Sequence, residues 1–283
     1  MVLSSTSFRY LIKALIVVAA LYVYQAGTTL WSSGDDASLS VREDELENTL
    51  RKIKKQYSVD IIYNSDVSAF PDLFRLPPAS VYAKRLTNSI EHKQNIARVV
   101  GILSVELKKY PDSIVGPELN SIYLFSKMGI YNVPYGGTSI DDVIYMAIGE
   151  KRSDHNDLYI TRLFHHEMSS VFFRRYKFPV DEWVKINPKG FSYKTKTDEV
   201  VKMVDENRNL DGSAVLYQQG FLDEYGKATV EEDFNMYSEM AFAQPGRLKA
   251  LQEKYPAIYK KIEILKKYYL GVSVKFTSVF VSF

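Results

Sequence analysis

Apolar positions along this chain recur at two periods, which sort it into helices and strands. From Thr87 to Tyr110, the residues Ile90, Ile96, Val99, Val100, Leu103 and Leu107 fall at helical spacing. They predict a long helix that stops at Pro111, with His92 exposed among polar neighbours. Leu163, Phe164, Met168, Val171 and Phe172 repeat the spacing and predict a buried helix from Asp157 to Arg175. Asp157 suits its cap, and Arg174 and Arg175 suit its negative end. Short runs at Val59–Tyr63, Ser121–Phe125 and Val143–Ile148 predict strands, the last two separated by a turn-rich stretch around Pro134-Tyr-Gly-Gly137. A further helix starts near Thr229, and Arg247 to Leu270 predicts one or two helices around Pro256. The tail Val272–Phe283 alternates loosely, as a sheet addition or partner-docking segment does. Strands early and helices late predict an α+β fold with a mainly helical C-terminal half.

The longest apolar run, Phe8 to Tyr24, has a different character. Arg9 and Lys13 precede its core and no acid appears before Asp35. Residues 1–26 therefore read as a signal peptide or a signal-anchor transmembrane segment. The uninterrupted part, Ala14 to Tyr24, is short for a span of about 20 residues unless Tyr10, Leu11 and Ile12 extend it. Both readings place the remainder outside the cytoplasm, anchored through the segment or, if it is cleaved, secreted or periplasmic. Residues 27–40 read as a polar tether and residues 41–283 as a single domain. The chain has no Cys, which excludes disulfides and a lipidated N-terminal Cys. A net charge of +2 gives no basic field for nucleic acid, and Arg51-Lys-Ile-Lys-Lys55 reads as the solvated face of a helix.

Candidate chemistry concentrates at His165-His166-Glu167, which holds two of the chain's four His inside an apolar helix. Buried groups of this kind are costly unless paired or bound to a metal. His166-Glu167-Met168-Ser169-Ser170 meets the first two requirements of His-Glu-x-x-His and carries Ser170 at the third. Thr229-Val-Glu-Glu232 has the form of a capping box, so Glu232 has two readings, helix cap or metal ligand. Glu231 beside it reads as exposed. His165 points about 100° around the helix from His166, and His155 precedes the helix in a loop.

With Tyr225-Gly-Lys-Ala-Thr-Val-Glu-Glu-Asp-Phe-Asn-Met-Tyr-Ser-Glu239 following His166-Glu167, the chain resembles the gluzincin-type zinc-binding metallopeptidases, relatives of lethal-factor-like and Mlc-titration-factor-like enzymes. The resemblance implies a zincin-like domain, a twisted sheet over an active-site helix, in which Val143–Ile148 is the edge strand that aligns a peptide. It implies Zn²⁺ held by His166 and Glu232, Glu167 as the base for the attacking water, and Tyr225 as an oxyanion donor. His165, Ser170 and Glu239 are accessory candidates, Glu239 as a ligand only in a shifted register. The implied partner is a peptide or protein. Ser170 also keeps open a catalytically inactive zincin-fold binding or scaffold protein, and a metal-free hydrolase using Ser169 or Ser170 with His166. Pro179 to Gly212 reads as a lid or as an ordinary surface excursion.

Overall fold

A computed structural model describes residues 36–77, 80–131, 133–194, 212–281 and 283. The apolar run at Phe8–Tyr24, with the signal or anchor read there, lies outside these residues, as does half of the excursion from Pro179 to Gly212. Among the described residues no helix is long and apolar enough to cross a membrane.

The first helix, α1 (Asp36–Tyr57), takes in residues 36–40 of the stretch read as a tether. Strand β1 (Asp60–Ile62), a short helix α2 (Asp72–Arg75) and strand β2 (Tyr82–Lys84) lead into α3 (Ile90–Glu106). Its Ile96, Val99, Val100 and Leu103 are buried, as their spacing predicts, whereas Ile90 is 56% exposed in the first turn. Ser89 caps α3 by accepting from His92 N–H. His92 is buried, contrary to expectation, because its Nδ1 accepts from Thr87 N–H at 2.7 Å and so closes that first turn.

After α4 (Asp112–Glu118) come β3 (Ser121–Phe125), β4 (Lys127–Ile130), β5 (Val133–Tyr135), β6 (Gly137–Ile140) and β7 (Val143–Ala147). The larger sheet has the order β1-β3-β7-β6, the first three parallel and β6 antiparallel to β7. Asp141, at φ 52°, makes the left-handed turn between β6 and β7. The segment Val143–Ile148 is thus interior, paired on both sides, and the edge position falls to β6. Sequence pattern marks a buried strand but not its neighbours. The stretch Pro134-Tyr-Gly-Gly137, read as turn-rich, ends β5, bends at Gly136 and begins β6, the strand that lies against the next helix. A second, smaller sheet has the order β2-β4-β5.

The buried helix α5 (Asp157–Arg175) follows. Its cap is Asn156, whose Oδ1 accepts from Tyr159 N–H at 2.8 Å; Asp157 is the first helical residue and holds Arg98 instead. The C-terminal half is helical, as predicted: α6 (Val180–Val184), α7 (Ala214–Gln219), α8 (Val230–Ala243), α9 (Pro245–Lys254), α10 (Pro256–Val272) and α11 (Thr277–Phe280). The tail is helical rather than an added strand. Phe276 and Phe280, four apart, are buried while Val274 is 77% exposed, so the helical period prevails over the loose alternation. The most extensive helix contact is between α5 and α8, and β6 lies against α5. These three elements build the site.

Candidate active site

Two caps set the register of the facing helices. Asn156 starts α5, and Thr229 Oγ1 accepts from Glu232 N–H at 3.1 Å to start α8. The half of the capping box seen here uses only the Glu232 backbone N–H, while its carboxylate faces His166 on α5.

His166 Nε2 lies 3.0 Å from Glu232 Oε2, and its Nδ1 lies 3.0 Å from Glu239 Oε2. Glu239 in turn accepts from Arg162 Nε at 2.6 Å. Burial disfavours a charged imidazole, yet the two carboxylates outweigh it and hold the His166 pKa well above the usual histidine range. Glu239 is also buried, but Arg162 and then His166 bring its carboxyl below the ordinary value.

Glu167 is 0% exposed and neither carboxylate oxygen has a hydrogen-bond partner. Burial pushes its pKa up to about 8, opposed by His166 and Arg174. It stands against β6: a Cβ at Gly137 would lie 2.8 Å from Glu167 Oε1. A Cβ at Gly136 would meet the Tyr159 hydroxyl at 2.3 Å. These two glycines let backbone approach where a side chain would fill the space. Tyr225, on a short 3₁₀ turn, stacks on His166 at 6.3 Å between centroids. Burial, reinforced by Glu232, raises its phenol well above its ordinary pKa.

The remaining predicted residues divide. His165 faces away from this centre, as its helical position requires. Its Nε2 lies 2.6 Å from Glu106 and its Nδ1 2.8 Å from the Tyr110 hydroxyl. Ser170 Oγ lies 2.7 Å from the side-chain amide of Asn235, and Ser169 Oγ is 2.7 Å from the other end of that amide. Both hydroxyls are engaged with Asn235 rather than with the His166 ring, so a serine–histidine pair is not assembled. Glu231, expected on the surface, is 7% exposed and pairs with Arg174 at 3.3 Å. His155 stacks on Tyr159 at 4.2 Å. Sequence reasoning missed Arg162, Asn235 and Tyr159. One signal for Asn235 was available: Glu232, Asn235 and Glu239 fall at i, i+3 and i+7, one face of α8.

Among the described residues no three His, Cys, Asp or Glu side chains converge on a point that could hold a metal. Glu232 and Glu239 address opposite nitrogens of one ring, so Glu239 is not a ligand alongside Glu232. The arrangement nevertheless fits a divalent cation in three respects. A carboxylate behind Nδ1 would keep that nitrogen protonated while a metal replaced the proton on Nε2. Nε2 and a Glu232 oxygen converge. Glu167 holds two orphaned oxygens nearby, as a site for water or an ion does.

No known protein family matches the sequence, and no curated protein matches it. Among solved structures the chain is similar to that of a putative zinc-binding metallo-peptidase from Bacteroides caccae, with a TM-score of 0.51 and 15% identity over 83% of this chain and 87% of that one. At that identity the two share a fold.

Proposed function

We propose that this chain is a peptidase-like hydrolase that uses zinc held by His166 Nε2 and Glu232 Oε2. The observation that carries this reading is the buried Glu167 carboxyl, without a partner on either oxygen, beside that converging pair. Bound zinc supplies Lewis-acid polarisation of a carbonyl and makes water acidic near neutral pH. Glu167 takes the proton of the attacking water and delivers it to the leaving amine. Tyr225 donates its hydroxyl to the developing oxyanion. Glu239, held by Arg162, keeps the His166 ring in its orientation and tautomer. The substrate is a peptide or protein laid near β6, and the setting is outside the cytoplasm, reached or held through residues 1–26.

The test is casein hydrolysis by the purified chain, with and without a chelator and in Glu167→Gln. The substitution keeps shape and zinc, and is expected to lower the rate at least 100-fold. Equal rates in the chelated and Glu167→Gln samples and the untreated protein would refute the role of this centre.

A second reading, a non-hydrolytic zincin-fold binding or scaffold protein, is favoured by one observation. His166, Glu167 and Glu232 are each no more than 2% exposed, so substrate has no direct path to them. In that case the purified chain takes up no zinc and its folding stability is the same with and without it.

A further inference from the structure

Asn235 lies on α8 between the two glutamates that address His166, and its amide touches both serines of the incomplete motif. Which end of an amide is oxygen and which is nitrogen is decided by its partners. In the structure the nitrogen stands at Ser170, 3.5 Å from His166 Nε2, and the oxygen stands at Ser169. Two contacts argue for the reverse. Ser169 Oγ lies 2.6 Å from the His166 carbonyl oxygen and 2.7 Å from Asn235 Oδ1. One hydroxyl hydrogen cannot serve two acceptors at those distances. With the NH₂ group at Ser169, the amide donates to Ser169 Oγ, which donates to the carbonyl, and both contacts of Ser169 are satisfied. His166 Nε2 leads to the same conclusion. Facing Glu232, it carries a hydrogen or a cation, and neither tolerates an amide NH₂ at 3.5 Å, whereas both favour a carbonyl oxygen. Ser170 then donates to Asn235 Oδ1. That turns the Ser170 hydrogen away from Glu231, to which it also hydrogen-bonds, and leaves Arg174 to meet the Glu231 charge.

We propose that Asn235 turns its carbonyl oxygen to the point where His166 Nε2 and Glu232 Oε2 converge and is the third protein ligand of the metal, with Ser170 as the donor that aims it. This rests on the zinc reading given above. The separations suit it: donor atoms about 2.1 Å from a tetrahedral zinc lie about 3.4 Å apart, and the two shown here are 3.0 and 3.5 Å. Ser170 is then not a lost ligand. It supports a ligand on the other helix, and the site is built from one nitrogen and two oxygens.

The experiment is titration of the metal-free full chain with Zn²⁺ against a chromophoric chelator, and with Co²⁺ for its visible absorption spectrum. The unaltered chain is compared with His166→Ala, Asn235→Ala, Asn235→Asp and Ser170→Ala. One Zn²⁺ per chain is expected, lost in His166→Ala and bound at least tenfold more weakly in Asn235→Ala. Asn235→Asp, the same size with a charged oxygen, is expected to bind more tightly and to change the Co²⁺ spectrum. Ser170→Ala, losing only the supporting donor, is expected to weaken binding about tenfold. If His166→Ala loses the metal while both Asn235 variants keep the unaltered affinity and spectrum, Asn235 is not a ligand and the zinc reading survives. If the unaltered chain takes up no Zn²⁺, both fall. Should Asn235→Ala fail to fold, the aspartate variant alone decides.

Discussion

Adjacent histidines on α5 do different work because each ring meets different acids. Successive side chains diverge by about 100°, so His165 turns toward Glu106 and Tyr110 while His166 turns toward α8. At His165 burial prevails over Glu106 and lowers the pKa; at His166 two carboxylates prevail over burial and raise it. His155 shows the case with no acid strong enough to oppose burial, and its pKa falls from 6.5 to about 4. Its unfolded form binds a proton below about 6.5 and its folded form only below about 4. The neutral ring therefore contributes fully above pH 6.5, and that stability is lost as pH falls through the interval. Replacing it with phenylalanine (His155→Phe), which keeps the stacking on Tyr159, is expected to remove about 2–3 kcal/mol of acid destabilisation. Urea unfolding at pH 7.5 and 4.5 measures it: the variant's advantage should appear only at the lower pH, and parallel losses would refute it. Residue type and helical position were enough to separate His165 from His166. They were not enough for His92, whose burial depends on a bond to the Thr87 backbone that no periodicity reveals.

Pairs of elements decide what a single helix leaves open. The face of α8 carrying Glu232, Asn235 and Glu239 meets the face of α5 carrying Arg162, His166, Ser169 and Ser170. Each stripe could be read from its own spacing; the pairing needed the fold. Strand order was illegible too: β7 (Val-Ile-Tyr-Met-Ala) shows by its apolar run that it is a strand, but nothing local says that β3 and β6 flank it. The opposite side of α8 carries a second buried junction. Lys261 of α10, 0% exposed, pairs with Asp233, which also accepts from Trp183 Nε1 at 2.8 Å and from the Tyr193 hydroxyl. The ammonium sits 4.3 Å from the centroid of Phe221 and 5.0 Å from that of Trp183, a cation–π setting that partly offsets desolvation. Removing one partner leaves a buried charge, so Lys261→Met is expected to cost about 3–5 kcal/mol in chemical unfolding. Adding Asp233→Asn neutralises the remaining carboxylate and should recover more than half of that loss. If the double variant is no better than the single one, the charge pair is not what locks α8 to α10.

At the scale of the whole molecule, order was legible and closure was not. A strand, a long helix, more strands, a buried helix and a helical remainder could all be read from periodicity. The crossing that places α8 on α5 joins residues 66 positions apart, His166 and Glu232, and local pattern does not encode it. On the zinc reading proposed above, that long-range clamp would couple occupancy of the site to folding. If zinc is held as proposed, by His166 Nε2, a Glu232 oxygen and an amide oxygen, the unfolded chain cannot bring the three together, and the metal would stabilise the folded form by mass action. At free zinc one hundred times the dissociation constant the gain is about 2.7 kcal/mol. For a domain of this size that raises the melting temperature by about 5–10 °C. Scanning calorimetry of the full chain in zinc and then in excess chelator should show that difference, and His166→Ala should melt at one temperature in both. A shift of the same size in His166→Ala would place the stabilising metal elsewhere, and no shift in the unaltered chain would mean that ion pairs and apolar packing hold α5 to α8 without a metal.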